Sequence, residues 1–258
     1  MPRRFVDLSV PLETGIASDP PMALPQIDYM SHQQTAEQIL MFFPGLTKDD
    51  LPGGEGWGIE QLNITTHNGT HVDAPYHYHS TMNGGERAIT IDEVPLEWCF
   101  GQGVKLDFRD VPDGHVISAR EIESELDRIG HDLEPYDIVL INTSAGAAYG
   151  QDDYLMKGCG MGREATNYLT SKGVRMVGTD AWSWDAPFAH TAQKYAETKD
   201  PKIIWEGHRA GMDQGYCQIE KMTNLNQLPN RGFLVSAFPF KIKAASAGFT
   251  RAVAIFEE

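Results

Sequence analysis

One short stretch of the sequence, residues 67–79, has the residue types and the spacing of a metal-dependent active site. It reads H-N-G-T-H-V-D-A-P-Y-H-Y-H and contains four of the chain's nine histidines. His67, His71 and Asp73 offer two imidazoles and one carboxylate, a donor set that leaves coordination positions open. These donors suit Zn²⁺ or Mn²⁺, and such an ion lowers the pKa of a bound water, to about 7 in the best zinc sites. The stretch therefore predicts metal-assisted hydrolysis.

The backbone around these ligands can be predicted from the residues that flank them. On a helix, His67 and His71 would share one face, as in the H-E-x-x-H motif. However, residues 62–66 alternate with β-branched side chains, and Gly69 and Pro75 would interrupt a helix over the motif. This pattern favours a strand that runs into a tight loop. We expect the loop to bend at Gly69, because glycine adopts positive φ without steric cost, and so to bring the ligands together.

A hydrolase also needs a group that moves protons, and His77 is the candidate for this role. It follows Asp73 by four residues, and imidazole titrates near neutral pH. His79 is expected either to support a ligand or to lie on the surface. Any one of these histidines could equally be structural, but the combination of spacings favours a metal site.

Residues 67–77 match the signature H-x-G-T-H-x-D-x-P-x-H. On this motif the sequence resembles the metal-dependent hydrolases of the putative cyclase family, which includes bacterial kynurenine formamidase and isatin hydrolase. The resemblance extends from Asp7 to the C-terminus. It implies a single α/β domain over residues 1–258, of the swivelling β/β/α type, with a mixed, barrel-like sheet flanked by helices. It also implies association into a homodimer or homotetramer.

The resemblance adds two candidate ligands in the second half of the chain. In the formamidases, a histidine and a glutamate at the separation of His208 and Glu220 bind a second metal ion, and the aspartate that corresponds to Asp73 bridges both ions. Isatin hydrolases use one ion and lack this glutamate, so here the chain resembles the two-ion branch.

One feature of the sequence differs from the formamidases. Formamidases carry a pocket tryptophan near residues 17–21, where this sequence reads A-S-D-P-P, which weakens the case for N-formylkynurenine as the substrate.

Aromatic residues in two regions are candidates for substrate binding. Residues 30–60 form a long segment without clear periodicity, which predicts an insertion or lid over the site. Phe42 and Trp57 would contact the substrate from it, or instead fix the segment to the body. Trp182 and Trp184 follow a predicted strand, where functional groups of α/β proteins gather. They could hold an aromatic ring between them or pack in the core.

Composition and charge limit the partners of the protein. The 258 residues suffice for one large domain. The formal net charge of −15 argues against nucleic acid, whose phosphates require basic patches. No apolar run is long enough to cross a membrane and no signal pattern precedes the first predicted strand, so we expect a cytoplasmic protein without a membrane partner. The three cysteines form neither a disulfide framework nor a C-x-x-C site, and we expect reduced thiols.

The rest of the sequence predicts alternating strands and helices, as in an α/β fold. Strands are predicted at residues 5–10, 103–108, 137–143, 174–180, 233–239, 241–243 and 251–256. Helices are predicted at residues 32–41, 118–130 and 163–172, the second of them opened by a capping box at Ser118. A turn is predicted at Ala247 and Gly248.

The predicted activity is hydrolysis of a C–N amide bond in a small, aromatic substrate, as in the arylformamidases. One or two divalent ions would activate water, and His77 would move the proton to the leaving nitrogen. Arg209 and Lys221 are candidate cations for a substrate carboxylate. Two alternatives remain open. One is a ring-opening hydrolase of a lactam or lactone, like isatin hydrolase or a dienelactone hydrolase, and the other is a metal-binding module without catalysis.

Overall fold

A nine-stranded mixed β-sheet forms the body of the protein. The structure, a computed structural model, describes residues 2–257. Over these residues, the strands are β1 (Arg3–Asp7), β2 (Gln26–Met30), β3 (Ile59–Asn63), β4 (His71–Asp73), β5 (Thr81–Met82), β6 (Glu86–Arg87), β7 (Phe100–Asp107), β8 (Val116–Ile117), β9 (Ile138–Asn142), β10 (Gly160–Met161), β11 (Met176–Thr179), β12 (Cys217–Glu220), β13 (Phe233–Ser236), β14 (Ala247–Phe249) and β15 (Val253–Glu257). The α-helices are α1 (His32–Leu40), α2 (Pro75–Tyr78), α3 (Ala119–Ile129), α4 (Arg163–Ser171), α5 (Phe188–Thr198) and α6 (Glu206–Arg209). No helix in this part of the chain is both long and apolar enough to cross a membrane.

The order of strands in the main sheet is β1-β15-β13-β7-β9-β11-β12-β4-β14. The central strands β7, β9, β11 and β12 run parallel to one another. On one side β13 pairs antiparallel with β7, and on the other β4 pairs antiparallel with β12. The sheet curls into a half-barrel. The predicted α/β fold with a mixed, barrel-like sheet and flanking helices is therefore confirmed.

Both faces of the central sheet are buried. Along β9, Ile138 and Leu140 pack into one apolar cluster, whereas Val139 and Ile141 pack into the other. Side chains alternate across a strand, so a run of four apolar residues contributes two to each face. Such a run is typical of a parallel strand that is covered on both sides.

Helix α3 covers one of these faces. Ser118 and Glu121 form the predicted capping box at its N-terminus, and Gly130 ends the helix in a left-handed conformation with φ of 62°. Ile122 and Leu126 lie one helical turn apart and pack together into the cluster that contains Val139. The predicted helix over 118–130 is confirmed.

Two of the short predictions near the C-terminus are wrong. Residues 241–243 form no strand, and the predicted turn at Ala247 and Gly248 is part of β14. β14 pairs antiparallel with β4, with Ala247 opposite Asp73. A Cβ atom on Gly248 would lie 2.4 Å from the carbonyl oxygen of Phe240, so the close backbone approach requires glycine there. A strand of three residues is too short to give a periodic signal in the sequence.

Residues 26–63 form a separate arm, whose helix and strands contact mainly one another. β2 and β3 pair antiparallel within it, and α1 lies between them in the sequence. Every residue of β3 is exposed. Phe42 is 69% and Trp57 38% exposed, and their ring centroids lie 6.3 Å apart. The arm therefore presents aromatic side chains to its surroundings.

Candidate active site

The ligands of the histidine-rich stretch lie on a tight loop and on the strand that follows it. The loop bends at Asn68 and Gly69, and Gly69 has φ of 59°, in the region that glycine favours. His67 lies on this loop, and β4 carries His71 and Asp73. Because side chains alternate along a strand, residues two apart point to the same face. The loop and the bend lie where the sequence predicts them. Of the strand predicted over residues 62–66, only Leu62 and Asn63 belong to a strand, β3, and the strand that carries His71 and Asp73 follows the loop.

The loop and β4 bring three ligand atoms together. His67 Nδ1 lies 3.3 Å from His71 Nε2 and 2.9 Å from Asp73 Oδ1, and His71 Nε2 lies 3.2 Å from the same oxygen. In a tetrahedral zinc site with bonds of about 2.0–2.1 Å, neighbouring ligand atoms lie about 3.3 Å apart. The spacing of these three atoms therefore fits one divalent ion.

Two residues from the second half of the chain complete the cluster. Glu220 ends β12, and its Oε2 lies 3.6 Å from His71 Nε2. His208 lies in α6, and its Nε2 is 3.6 Å from Glu220 Oε1 and 3.9 Å from Asp73 Oδ2. Asp73 therefore faces His67 and His71 with one oxygen and His208 with the other.

The Asp73 carboxylate lies between these groups. It is fully buried, and neither of its oxygens accepts a hydrogen bond of acceptable geometry from the described residues. Leaving a carboxylate buried in this way is costly unless a cation compensates it. Two groups of three side chains could each hold an ion, because the ligand atoms of each group lie within 4.8 Å of one another. The first group is His67, Asp73 and His77. The second is His71, Asp73 and Glu220. The residues fit one or two divalent ions.

The protonation of the ligands depends on burial. Burial lowers the pKa of His71, which favours the neutral imidazole that binds a metal ion. Burial also raises the pKa of Glu220 well above its ordinary value, and the negative charge of Asp73 raises it further. Because one buried carboxylate opposes the ionisation of the other, a cation between them would favour the ionised form of both.

Hydrogen bonds from behind orient the ligand rings. His71 Nδ1 lies 2.9 Å from the Gly69 carbonyl oxygen. His208 Nδ1 lies 2.5 Å from Asp185 Oδ2, and Asp185 also accepts hydrogen bonds from the backbone N–H groups of Gly207 and His208. These contacts leave the Nε2 atom of each ring directed at the cluster. From the sequence, Asp185 is expected only in a segment that lines a pocket, residues 179–185, and its contact with His208 was not predicted.

His77 lies beside the cluster on α2, a single turn that begins at Pro75 directly after β4. Its Nε2 is 3.8 Å from Asp73 Oδ2, and its ring centroid is 4.1 Å from that of His67. Burial lowers the pKa of His77 to about 3, so the ring is neutral in this environment. His79, by contrast, is exposed and contacts Thr81.

A cavity of about 140 Å³ opens onto the cluster and has aromatic walls. It is lined by His67, His77, Trp182, Ser183, Phe188, Trp205, His208 and Glu220. The Trp205 ring stacks on His208 with centroids 4.3 Å apart, and Trp182 meets Phe188 edge to face at 5.5 Å. Phe188 and Trp205 were missed because they stand alone in the sequence, outside any motif.

Three of the four predicted substrate-binding residues do not line this cavity. Trp184 is 1% exposed and packs in the core, where its Nε1 donates to Thr166. Its backbone N–H donates to Glu220, so it supports a ligand instead of facing a substrate. Phe42 and Trp57 lie on the arm. Only Trp182 of the four is part of the cavity wall.

The two predicted carboxylate-binding cations also lie outside the cavity wall. Arg209 is exposed on α6. Lys221 is 1% exposed, and its Nζ donates to Asp19 and to the carbonyl oxygen of His67. An ammonium group that is already paired and buried is not free to bind a substrate.

A larger cavity, of about 440 Å³, lies near the ends of β9 and β11. Its walls include Asn142, Thr143 and Asp180. Burial raises the pKa of Asp180 to about 7. Among the described residues, the groups that could hold a metal ion are those around Asp73, and none includes a residue of this larger cavity. The candidate chemistry therefore belongs to the smaller cavity.

The sequence is similar to those of known proteins. The family model described as Putative cyclase matches residues 6–186. A kynurenine formamidase from Erythrobacter litoralis (strain HTCC2594) is 24% identical over 228 residues, which cover 85% of this chain and 90% of that protein. A kynurenine formamidase from Salinibacter ruber (strain DSM 13855 / M31) is 28% identical over 196 residues, which cover 76% and 78%.

The fold is also similar to that of a solved enzyme. Isatin hydrolase A from Labrenzia aggregata, bound to benzyl benzoate, superposes with a TM-score of 0.75 at 23% sequence identity, over 99% of this chain and 94% of that one. This likeness concerns the fold. Because the family model covers most of the sequence and includes the whole histidine motif, the chain belongs to the Putative cyclase family.

Proposed function

We propose that this protein is a metal-dependent hydrolase that cleaves the C–N amide bond of a small, aromatic substrate, as an arylformamidase does. The observation that carries the proposal is the buried Asp73 carboxylate, which accepts no hydrogen bond from residues 2–257 and faces candidate ligand atoms with both oxygens. Such a centre serves the hydrolysis of polarised carbonyl groups. The similarity to two kynurenine formamidases supports an amide as the substrate.

The cofactor we propose is Zn²⁺ or Mn²⁺, with one or two ions per chain. His67, His71 and Asp73 would hold the first ion, and Asp73, His208 and Glu220 the second. When bound, such ions polarise a carbonyl group and lower the pKa of water. The mixed nitrogen and oxygen donors suit either metal.

The remaining residues of the cavity have separate roles in this proposal. His77 would accept the proton of the attacking water and deliver it to the leaving nitrogen, because its Nε2 lies 3.8 Å from Asp73 Oδ2, beside the candidate ligands. Trp182, Phe188 and Trp205 would bind the aromatic part of the substrate and exclude water.

A second candidate is a ring-opening hydrolase of a lactam or lactone. The small size and aromatic walls of the cavity favour it, because a compact planar ring fits such a space better than a long, flexible amide. The isatin hydrolase of similar fold is consistent with this candidate.

The experiment that separates these candidates compares two substrates. The protein is loaded with Zn²⁺ or Mn²⁺, and kcat/KM is measured for N-formylkynurenine and for isatin. A higher value for N-formylkynurenine supports formamide cleavage, and a higher value for isatin supports ring opening. Metal binding without hydrolysis of either would favour the third alternative, a module without catalysis.

We also propose that the protein forms a homodimer or homotetramer. Large exposed apolar side chains on the arm, such as Tyr29 (66% exposed) and Phe42, support this, because such surfaces are commonly covered by a partner. Light scattering on the wild type and on a Tyr29→Ser/Phe42→Ser variant tests it. An oligomer that the variant weakens supports the proposal, and a monomeric wild type contradicts it. The lid over residues 30–60 and the cytoplasmic location stay predictions.

A further inference from the structure

A buried ion pair lies directly behind the metal-ligand candidates. Lys221 follows Glu220 in the sequence, and its Nζ donates to Asp19 and, at 2.7 Å, to the carbonyl oxygen of His67. Lys221 is 1% and Asp19 7% exposed. The Lys221 ammonium group therefore links the residue that follows the candidate ligand Glu220 to the backbone of the candidate ligand His67.

Hydrogen bonds also fix the backbone of Lys221. It has φ of 56°, in the left-handed region that non-glycine residues rarely adopt. Its N–H donates to the carbonyl oxygen of Ala181, and its own carbonyl oxygen accepts from Thr70 Oγ1 at 2.6 Å. Such a conformation persists only where the surroundings fix it, and it is often found at functional sites.

Asp19 connects the same pair to the cavity wall. Its Oδ1 accepts from Trp182 Nε1 at 3.1 Å, and its Oδ2 accepts from Asn68 Nδ2 at 3.0 Å. Asn68 belongs to the loop of His67, and Trp182 lines the cavity. A single carboxylate therefore contacts the ligand loop, the residue after β12 and the aromatic wall.

The charges of Lys221 and Asp19 affect how strongly the site binds a cation. Lys221 alone would place a positive charge beside the ligands and oppose the binding of a divalent cation. Asp19 compensates this charge at direct contact. Removing one partner leaves the other buried and uncompensated, whereas removing both restores neutrality.

We propose that Asp19 and Lys221 are positioning residues for the reaction at this site. The pair fixes the His67 loop relative to Glu220, and Asp19 fixes the Trp182 ring in the wall that contacts the substrate. This inference rests on the proposed hydrolase function and assigns roles to two residues outside the ligand set.

The test measures two quantities on the folded protein: the affinity for Zn²⁺, by competition with a chelator, and KM with whichever substrate the wild type hydrolyses. We expect Asp19→Asn to weaken Zn²⁺ binding at least 10-fold and to raise KM. Trp182→Phe, which keeps a ring but loses the N–H donor to Asp19, should raise KM several-fold and leave the affinity for Zn²⁺ unchanged.

The double variant Asp19→Asn/Lys221→Met tests the charge argument. It should bind Zn²⁺ more tightly than Asp19→Asn alone, because it is neutral again, yet less tightly than the wild type, because His67 has lost a hydrogen bond. The matched control is Glu125→Gln, which removes a buried carboxylate paired with Arg128 on α3. The control should change neither quantity.

Wild-type values of both quantities in Asp19→Asn would overturn the inference. If that variant does not fold, the double variant decides, and wild-type affinity and KM there would overturn it equally. A wild type that binds neither Zn²⁺ nor Mn²⁺, or that hydrolyses no substrate, would instead contradict the proposed function, so the two failures are distinguishable.

Discussion

Glu220 lies directly opposite His71 in the antiparallel pairing of β12 with β4, and Glu220 Oε2 is 3.6 Å from His71 Nε2. Residues that face each other in this way have Cβ atoms about 4.5–5.5 Å apart on one face of the sheet. The register of two buried strands thus sets the distance between the two halves of the site. The rigid sheet pre-organises the ligands that the proposed ions require.

Glu220→Gln tests the second ion. Glutamine keeps the shape of the side chain but removes the charge, and a neutral amide is a weaker ligand than a carboxylate. We expect the loss of affinity for the second ion to exceed the about 10–100-fold that removing a supporting group typically costs, while the first ion stays. Ions per chain are counted by mass spectrometry after dialysis. Glu197→Gln, on the exposed face of α5, is the control, and a Glu220 variant that still holds two ions would rule out this assignment.

His77→Ala separates catalysis from metal binding. Loss of a general acid–base group typically lowers kcat by about 10²–10⁴, whereas the ions should remain because the other ligands are intact. His79→Ala is the matched control, since His79 is exposed two residues away. Steady-state kinetics and metal content are measured on both. If His77→Ala loses its metal together with its activity, His77 is a ligand and the role of proton carrier is wrong.

Asp185→Asn tests the orientation of His208. The variant weakens the contact with His208 Nδ1, and the loss of such a supporting carboxylate typically costs about 10–100-fold in metal affinity. Asp137→Asn disrupts a buried aspartate–histidine pair outside the site, in which His131 Nε2 lies 2.8 Å from Asp137. Chelator competition should show weaker binding for Asp185→Asn only. Equal effects in both variants would mean that general destabilisation is responsible.

Metal binding should release protons and weaken as the pH falls. Burial raises the pKa of Glu220. For His67, burial lowers the pKa, but the Asp73 carboxylate, 2.9 Å away, outweighs this effect and raises the pKa above 6.5. Groups with raised pKa hold their protons to higher pH, so an ion must displace them. As the pH is lowered, the apparent affinity should therefore start to decline above pH 6.5. Calorimetry in buffers of different ionisation enthalpy counts the protons, and proton uptake on binding would contradict this.

Gly69→Ala tests the bend in the ligand loop. A non-glycine residue in the left-handed region costs about 1–2 kcal/mol, and a Cβ atom here would also lie 2.9 Å from Leu12 Cδ2. Gly15→Ala is the control, because Gly15 has φ of 90° with no atom within 4 Å of the added Cβ. Both variants should lose stability in denaturant titrations, but only Gly69→Ala should also lose Zn²⁺ affinity. Unchanged affinity in Gly69→Ala would show that the bend does not position the ligands.

Much of the fold could be predicted because the buried strands carry their own signal. The apolar run of β9 and the capping box of α3 are local patterns that tertiary packing reinforces. β14 could not be predicted, because only its pairing with β4 makes these three residues a strand. The register of β12 against β4 was equally out of reach, since it depends on contacts between distant parts of the chain.

The residues of the site also divide into those that a local sequence pattern predicts and those that only the folded structure reveals. The histidine motif marks the candidate ligands by local spacing, and the structure brings His208 and Glu220 to the same place. Asp19, Asp185 and Trp205 carry no such signal, because each acts through contacts made in the folded state. Trp184 was a candidate for substrate binding because of its position after a predicted strand. In the structure Trp182 faces the cavity, whereas Trp184, two residues later, packs in the core. In a strand, residues two apart share a face, so this difference follows from the loop backbone and cannot be seen in the sequence.

The central claim is that these side chains form a centre for divalent ions, and the most direct test is the metal content per chain. It is measured on protein purified without added ions, and again after reconstitution with Zn²⁺ and with Mn²⁺. We predict one or two ions per wild-type chain after reconstitution, bound through Asp73, and their loss in Asp73→Ala. A chain that binds no ion under any of these conditions would contradict the claim.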